Sequence, residues 1–272
     1  MANEFPQAMV IGGSDSDGSA GIQADLHSFF MRGVYGTVAL TAAVAGNSYG
    51  IHDSVTLPLP LIAKEFEVLA DDLDIKATKT GMLADAALIN TVADNLEKYD
   101  FGQLVLDPVI VTKHGALLLE AEAFNTLKER LIPLATVMTP NFYEAEHLTG
   151  RKLTTKDEIA DAAKELQAHG AKNIMIKGER RAEWDTVDDY VRLEDGTSFW
   201  LPAPFFETDR RNGTGDTVSA VIAAELAKGE PVEAAIRTAR AFVSEAIMHP
   251  IAVGHKYGPI NHWAGESRFP KA

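Results

Sequence analysis

The stretch Asn212–Ala220 combines glycine, threonine and an acid in a pattern typical of anion-binding sites. Gly213 and Gly215 bracket Thr214, Asp216 follows, and the next residues have helical spacing. A glycine turn that leads into a helix leaves backbone N–H groups unpaired at the positive end of the helix dipole. Such a turn binds a phosphate or stabilises a developing oxyanion. Asp216 can act as a base on a bound hydroxyl, or it can simply cap the helix.

Four apolar strands end in polar residues that can complete such a site. They lead into a Gly/Ser/Asp loop at 12–21, Asp107, Asn141 with Glu144, and Lys177. In an open parallel sheet, the carboxyl ends of the strands lie at one edge, where ligands bind. The acids suit Mg²⁺, the lysine suits a phosphate, and the set therefore fits phosphoryl transfer. Structural alternatives stay open: a plain turn, a strand end, and a capping box formed by Asn141 and Glu144.

Strands and helices alternate along the whole sequence, and they position these residues. The alternation predicts a mainly parallel sheet with helices on both faces. Nothing marks a boundary, so we predict a single domain over residues 1–272. We expect strands at 8–11, 36–45, 75–81, 103–107, 136–139 and 173–177, a hairpin over 185–201, and helices at 58–73, 85–99, 121–131, 142–148, 156–169 and 231–249, besides those after residues 21 and 213.

Composition narrows the class of protein. The 272 residues carry 39 acids against 25 Lys and Arg, a formal net charge of −14, which argues against nucleic acid or an anionic membrane as the main partner. There is no cysteine, so disulfides, thiolate zinc sites and thiol nucleophiles are excluded. The N-terminus has no basic and apolar signal pattern, and no apolar run could cross a bilayer. We expect a cytoplasmic protein.

Five motifs occur in one order along the chain: Gly13-Ser14-Asp15-Ser16-x-Gly18-x-Ala20-Gly21-Ile22-Gln23-Ala24-Asp25, Lys79-Thr80-Gly81-Met82-Leu83, Asp107-Pro108-Val109, Thr139-Pro140-Asn141-x-x-Glu144 and Gly213-Thr214-Gly215-Asp216-Thr217. Together they resemble the ribokinase superfamily, in particular its branch of hydroxymethylpyrimidine (phosphate) kinases and bacterial pyridoxal kinases. The resemblance covers nearly the whole chain. It implies a ribokinase-like three-layer α/β/α fold with a mainly parallel central sheet, the use of ATP and Mg²⁺, and a homodimer.

The resemblance also implies roles for individual residues. The anion hole falls on Gly213, Thr214 and Gly215, and the catalytic base on Asp216. The implied substrate-binding residues are Gly12, Asp25, Gly46, Met82 and Val109; the ATP-binding residues are Lys177, Asn141, Glu144, Thr208 and Thr214; the metal-side acids are Asp107 and Glu144.

Among the positions that depart from the family pattern, two bear on the base and on the substrate. Asp216 stands where close relatives usually carry cysteine, whereas sugar and adenosine kinases of the superfamily carry the acid. Gly46 stands where the pyrimidine kinase has a glutamine that reads the aminopyrimidine edge. Because loss of that amide widens the pocket, we predict a bulkier pyridine substrate: pyridoxal, pyridoxine or pyridoxamine, phosphorylated on the 5′-hydroxymethyl group.

Three questions stay open at this point. Within the same fold, the alternative function is hydroxymethylpyrimidine/phosphomethylpyrimidine kinase of thiamine biosynthesis. From a different class, the alternative is a non-catalytic nucleotide- or vitamin-binding protein in which Asp216 is only a helix cap. Arg210 and Arg211, just ahead of the glycine turn, either add positive charge for a phosphate or belong to a solvated loop.

Overall fold

The computed structural model describes residues 4–110, 121–178 and 186–265. In these ranges the strands form one sheet, and its members are β1 (Gln7–Asp15), β2 (Tyr35–Asn47), β3 (Gly50–Thr56), β4 (Ile75–Thr80), β5 (Gln103–Leu106), β6 (Val137–Met138), β7 (Asn173–Ile176), β8 (Thr186–Arg192) and β9 (Ser198–Pro204). The helices are α1 (Gly21–Met31), α2 (Leu59–Asp72), α3 (Ala86–Lys98), α4 (Ala121–Thr126), α5 (Phe142–Thr149), α6 (Lys156–Ala168), α7 (Thr214–Ala227) and α8 (Val232–Met248).

The order of the strands creates a switch point in the sheet. That order is β3-β2-β1-β4-β5-β6-β7-β8-β9, with parallel pairing from β2 to β7 and antiparallel pairing of β3, β8 and β9. The chain leaves β1 towards β2 on one side and later returns to β4 on the other side. Ligands of open α/β sheets bind outside the carboxyl ends of the strands at such a switch point. The predicted α/β fold with a mainly parallel sheet is confirmed.

Side chains from the two faces of the sheet enter two separate apolar clusters. In β1, Met9 and Ile11 belong to one cluster, and Ala8 and Val10 belong to the other. This alternation follows from the period of two along a strand. The first cluster also contains residues of α2, α3, α5 and α6, and the second contains residues of α1, α7 and α8. Each cluster therefore combines side chains of the sheet with side chains of its own set of helices.

Helix α7, which begins just after the glycine turn, is the most deeply buried helix of the second cluster. Every residue from Thr217 to Ala227 is buried. Its alanines and serine are small, so α7 can pack against α1, α8 and the strands β4 and β5 at once. Most of these residues are small or apolar, as expected for a helix in a protein core, and the buried Glu225 is paired with Arg32 and Lys228. Among the described residues, no helix has both the length and the apolar character needed to cross a membrane.

Two details differ from the sequence-based expectation. Strand β3 was not predicted, because all seven of its residues are exposed and show no apolar alternation. Strand β1 continues to Asp15, so the first four residues of the predicted loop at 12–21 are strand, and the register of β1 to β2 shifts between Gly12 and Gly13. The hairpin predicted over 185–201 is β8–β9, although position 185 lies outside the described residues.

The two ends of α7 provide a matched test of how the glycine turn is built. Gly213 (φ +78°) precedes the helix and Gly229 (φ +84°) follows it, and both conformations cost an L-residue about 1–2 kcal/mol. A Cβ on Gly229 would meet no atom within 4 Å, whereas a Cβ on Gly213 would overlap the carbonyl oxygen of Ser19. We predict that Gly213→Ala lowers the free energy of unfolding clearly more than Gly229→Ala in denaturant titrations. Equal losses would contradict this account of the turn.

Candidate active site

A buried lysine joins two acids at the carboxyl ends of β1 and β4. Lys79 lies in β4, and its Nζ is 2.9 and 2.8 Å from the two carboxylate oxygens of Asp25 on α1. The same Nζ is 3.3 Å from Oδ1 of Asp216 in the first turn of α7. The Lys79 side chain is fully buried, and 23% of the Asp216 side chain is exposed. We call Asp25, Lys79 and Asp216 the Lys79 cluster.

Burial and charge act in opposite directions within the Lys79 cluster. Burial raises the pKa of the Asp25 carboxyl above its usual range, and the cation of Lys79 opposes this shift. For Lys79, burial disfavours the charged form, but the carboxylates of Asp25, Asp216 and Asp107 outweigh burial and raise the Lys79 pKa. The lysine therefore remains a cation, and it supplies the positive charge that the acids need in this dry environment.

A second lysine pairs with an acid that follows another strand of the sheet, with one strand, β6, between them. Lys177 follows β7, and its Nζ lies 3.0 Å from Oδ1 of Asp107, the residue after β5. The other oxygen of Asp107 accepts a longer hydrogen bond, 3.4 Å, from the Ser219 hydroxyl of α7. Burial disfavours the charged form of Lys177, but the charges of Asp107 and Glu144 raise its pKa overall. We call Asp107 and Lys177 the Lys177 pair.

Glu144 lies beside the Lys177 pair and forms the predicted capping box of α5. The Asn141 side chain accepts from the Glu144 N–H at 2.9 Å, and Glu144 Oε2 accepts from the Asn141 N–H at 2.7 Å. Oε1 accepts from the N–H of Ile110 at 3.1 Å, so Glu144 also fastens the segment after β5. Burial raises the pKa of Glu144 to about 7, with Lys177 opposing and Asp107 adding to the shift.

The start of α7 lies between the two charged groups. A Cβ on Gly215 would lie 3.4 Å from Lys177 Nζ and 3.7 Å from Asp107 Oδ2, while the next residue, Asp216, contacts Lys79. In the described part of the chain, no acceptor pairs with the backbone N–H of Gly215 or Asp216. Unpaired N–H groups at a helix N-terminus can bind an anion. The turn therefore brings free donors, two cations and one partly exposed carboxylate to one place.

The other residues predicted to bind the substrate lie near the same edge. Gly12 lies at the point where β1 meets the end of β4, since the N–H of Gly81 donates to the carbonyl of Ile11 at 2.8 Å. Met82 and Val109 are half-buried in the segments that follow β4 and β5. Val109 has a φ of +31°, a strained value for a β-branched residue. Strain of this kind often marks functional segments.

Gly46 lies in the β2–β3 hairpin, next to the loop that follows β1. The Ser16 hydroxyl donates to the Gly46 carbonyl and accepts from the Gly46 N–H, both at 2.8 Å. A Cβ on Gly46 would lie 3.2 Å from the carbonyl oxygen of Gly50 on the opposite strand. The backbone of Gly46 therefore fastens the hairpin to the loop at 12–21.

The hydroxyls of Thr208 and Thr214 serve local turns. Thr214 Oγ1 donates to the carbonyl of Arg211 at 2.7 Å, and Thr208 Oγ1 accepts from the N–H of Arg210 at 3.0 Å. The Arg210 guanidinium donates to the carbonyls of Val253 and Gly254. Arg210 therefore holds two loops together, and the two alternative roles given for it from the sequence stay predictions. Within the described ranges, no contact joins Thr208 to the Lys79 cluster or the Lys177 pair.

Sequence reasoning missed two features of the site. Lys79 belongs to one of the five motifs, but no role was predicted for it. A lysine within an apolar strand needs a counter-charge, and this requirement could have identified Lys79 from the sequence. The second feature is a histidine behind the Asp216 turn. His262 is buried, its Nε2 lies 2.9 Å from the hydroxyl of Thr217, and its ring packs edge-on against His27. Nothing in the sequence near His262 indicated this contact.

Comparison with known proteins identifies the family. The family model described as phosphomethylpyrimidine kinase matches residues 15–261. The chain belongs to this family. A hydroxymethylpyrimidine/phosphomethylpyrimidine kinase of Haemophilus influenzae is 48% identical over 260 residues, 95% of this chain and 97% of the relative. The enzyme of the same name from Bacillus subtilis is 39% identical over 259 residues, 95% of each chain.

The solved structures confirm the resemblance to the ribokinase-like vitamin kinases. An ADP complex of Bacillus subtilis pyridoxal kinase has a TM-score of 0.89 to this chain at 35% identity, and it covers 96% of this chain and 98% of that one. The chain is thus similar to both kinds of kinase that the motifs indicated. A shared fold does not decide between their substrates.

The predicted pyridoxal specificity is wrong. The relatives at 48% and 39% identity are hydroxymethylpyrimidine/phosphomethylpyrimidine kinases, which supports the alternative that the sequence left open. The prediction depended on one amide missing at Gly46, and a single hydrogen bond contributes only about 0.5–1.5 kcal/mol net. Both substrates are flat heteroaromatic alcohols, so one contact of that size does not decide which of them binds.

His262 makes the free energy of unfolding depend on pH. Burial lowers the pKa of His262 to about 4, with His27 adding to the shift, so the folded protein keeps the ring neutral. The unfolded chain protonates it near pH 6.5. The free energy of unfolding therefore falls as the pH decreases from about 6.5 to 4, by on the order of 2–3 kcal/mol from this group. We predict that His262→Gln loses this part of the pH dependence.

The matched control is His169→Gln, which replaces an exposed histidine at the end of α6. Denaturant titrations at several pH values compare the two variants with the unmodified protein. If His262→Gln keeps the full slope of the unmodified protein, the buried neutral state of His262 is refuted.

Proposed function

We propose that the protein is an ATP-dependent kinase that phosphorylates hydroxymethylpyrimidine and its monophosphate. The observation that carries this proposal is the 48% identity to the Haemophilus influenzae kinase of that name over 97% of the relative's length. The geometry agrees with phosphoryl transfer, which requires positioning and charge neutralisation more than covalent chemistry. ATP is the expected donor, and ADP is bound in the similar pyridoxal kinase of Bacillus subtilis.

We assign Asp216 as the group that accepts the proton of the substrate hydroxyl. It is the carboxylate of the Lys79 cluster with an exposed face, and it lies beside the free N–H groups that start α7. As the hydroxyl oxygen attacks the γ-phosphorus, the bond from phosphorus to the bridging oxygen of ADP breaks and the proton passes to Asp216. The N–H groups of Gly215 and Asp216 and the cation of Lys177 stabilise the charge on the transferring phosphoryl group.

The heteroaromatic ring is proposed to lie against Gly12, Gly46, Met82 and Val109, with Asp25 at its polar edge. Gly12 lies in the last part of β1, and Met82 and Val109 lie in the segments that follow β4 and β5. Asn141, Glu144, Thr208 and Thr214 are proposed for the nucleotide side. A Cβ on Gly12 would lie 3.7 Å from both the Cα of Gly81 and the side chain of Ile22, so Gly12 packs directly against these two residues.

Mg²⁺ is the expected metal of the proposed site. Among the described residues, no three histidine or acidic side chains are grouped as a metal cage. Mg²⁺ normally keeps several waters and binds one or two carboxylates plus substrate phosphates, so a cage is not required. Asp107 is the residue that fits this role best. Both oxygens of Glu144 accept backbone N–H groups, so Glu144 would act through water. The ion would supply further neutralisation of phosphate charge.

A single three-layer α/β/α domain and a homodimer complete the proposal. The two apolar clusters on opposite faces of one sheet support the layered arrangement. The edge strand β3 and its turn expose Tyr49, Ile51 and Val55, each more than half accessible, and such a patch suits an interface with a second copy. Analytical ultracentrifugation measures the oligomeric state directly, and a monomer at micromolar concentration would refute the dimer.

The substrate is tested by turnover. We predict that the protein consumes Mg-ATP with hydroxymethylpyrimidine and with its monophosphate, and that kcat/KM for the pyrimidine exceeds kcat/KM for pyridoxal. The measurement is coupled ADP release with each alcohol in turn, with product masses as confirmation. Turnover of pyridoxal without turnover of either pyrimidine would refute the proposed function.

The role of Asp216 is tested by Asp216→Asn, which keeps the size of the side chain and removes its basicity. We expect kcat to fall by ~10²-fold or more, as for loss of a positioned base. Asp161→Asn, an exposed position on α6, is the matched control and should retain the rate. If Asp216→Asn keeps the rate of the unmodified protein, Asp216 is not the group that accepts the proton of the substrate hydroxyl.

A further inference from the structure

Lys79 holds the Asp216 carboxylate by a hydrogen bond. Within the described ranges, it is the one group that hydrogen-bonds to the Asp216 carboxylate, at 3.3 Å. The Asp216 side chain lies in the first turn of α7 and is partly exposed. Without this bond, the side chain would be free to change its rotamer. A general base must lie within hydrogen-bond reach of the proton it takes. The orientation of Asp216 therefore depends on where Lys79 holds it.

The position of Lys79 is itself rigid. Its backbone belongs to β4, which pairs with β1 on one side and β5 on the other. Its Nζ contacts both oxygens of Asp25, and that side chain is buried on α1. A Cβ on Gly81 would lie 3.4 Å from the same Nζ, so little free space remains on that side. A cation fixed from three directions can hold a mobile carboxylate in one place.

We propose that Lys79 is a positioning residue that orients Asp216 for phosphoryl transfer and joins it to the substrate side of the site through Asp25. This role rests on the proposed function. The bond from Lys79 runs to Asp216, whereas Gly215 at the start of α7 lies next to Lys177 and Asp107. Loss of Lys79 should therefore lower kcat and leave the KM for ATP nearly unchanged.

A simpler role must be separated from this one. Lys79 could serve only to neutralise the buried Asp25, and then Lys79→Met would fail because a buried carboxylate is left without a partner. The comparison is therefore made without Asp25. Asp25→Asn keeps the cation beside Asp216, and Asp25→Asn/Lys79→Met removes it, and neither variant contains an unpaired carboxylate at position 25. Asn and Met keep nearly the original side-chain sizes.

The experiment measures kcat and the KM for ATP at saturating hydroxymethylpyrimidine. We expect kcat of Asp25→Asn/Lys79→Met to be ~10–100-fold below that of Asp25→Asn, the effect of misplacing a reacting group by about 1 Å. The same pair is then made with Asp216→Asn added. Because Lys79 acts through Asp216, its loss should change kcat by less than about 2-fold in that background. Thermal unfolding and ATP titration confirm that each variant is folded.

Each outcome is decisive. Equal kcat values for the first two variants would overturn the role of Lys79, and so would a loss of the same size with and without Asp216, since that would show a structural effect. A raised KM for ATP with unchanged kcat would also overturn it. Absence of any turnover by the unmodified protein rejects the proposed function and this role together, whereas normal turnover with any of the preceding results rejects this role alone.

Discussion

Two lysine cations, Lys79 fully buried and Lys177 partly buried, lie at the carboxyl edge of the sheet, and the arrangement of the site depends on how they are neutralised. Burying an ammonium group is costly unless a carboxylate meets it. Lys79 and Lys177 find those carboxylates on α1, on α7 and at the end of β5. The charges therefore hold distant parts of the chain against each other at the switch point of the sheet. The start of α7, with its glycine turn, lies between the two lysines: Gly215 is next to Lys177, and Asp216 contacts Lys79.

This arrangement explains why the turn alone was ambiguous. A glycine turn with an acid in the first helical turn is common, and its backbone geometry is the same in a plain cap. What changes its chemistry is the neighbourhood: Gly215 lies against the Lys177 pair, and Asp216 contacts Lys79. Glu144 shows that a residue with a structural role can also lie at the site. It forms the capping box that its spacing indicated, yet it also lies close enough to Lys177 and Asp107 for their charges to affect its pKa.

Local patterns predicted the elements well, and long-range pairings lay beyond them. The apolar strands and amphipathic helices follow from periodicity, because each signal lies within a few residues. Strand β3 gave no such signal, since none of its side chains is buried. The partners of Lys79 lie 54 and 137 residues away, and His262 meets Thr217 across 45 residues. Periodicity does not encode such contacts. The substrate was misjudged for a related reason: one position was given the weight of a whole pocket.

The central claim is that one site at the switch point brings the pyrimidine alcohol to Asp216 and the γ-phosphate to the start of α7. The most direct measurement is a crystal structure with hydroxymethylpyrimidine and a non-hydrolysable ATP analogue. The account predicts the substrate hydroxyl within about 3.2 Å of the Asp216 carboxylate. It also predicts the γ-phosphate on the N–H groups of Gly215 and Asp216 and close to Lys177. An alcohol bound away from Asp216, or a phosphate chain that avoids this turn, would contradict it.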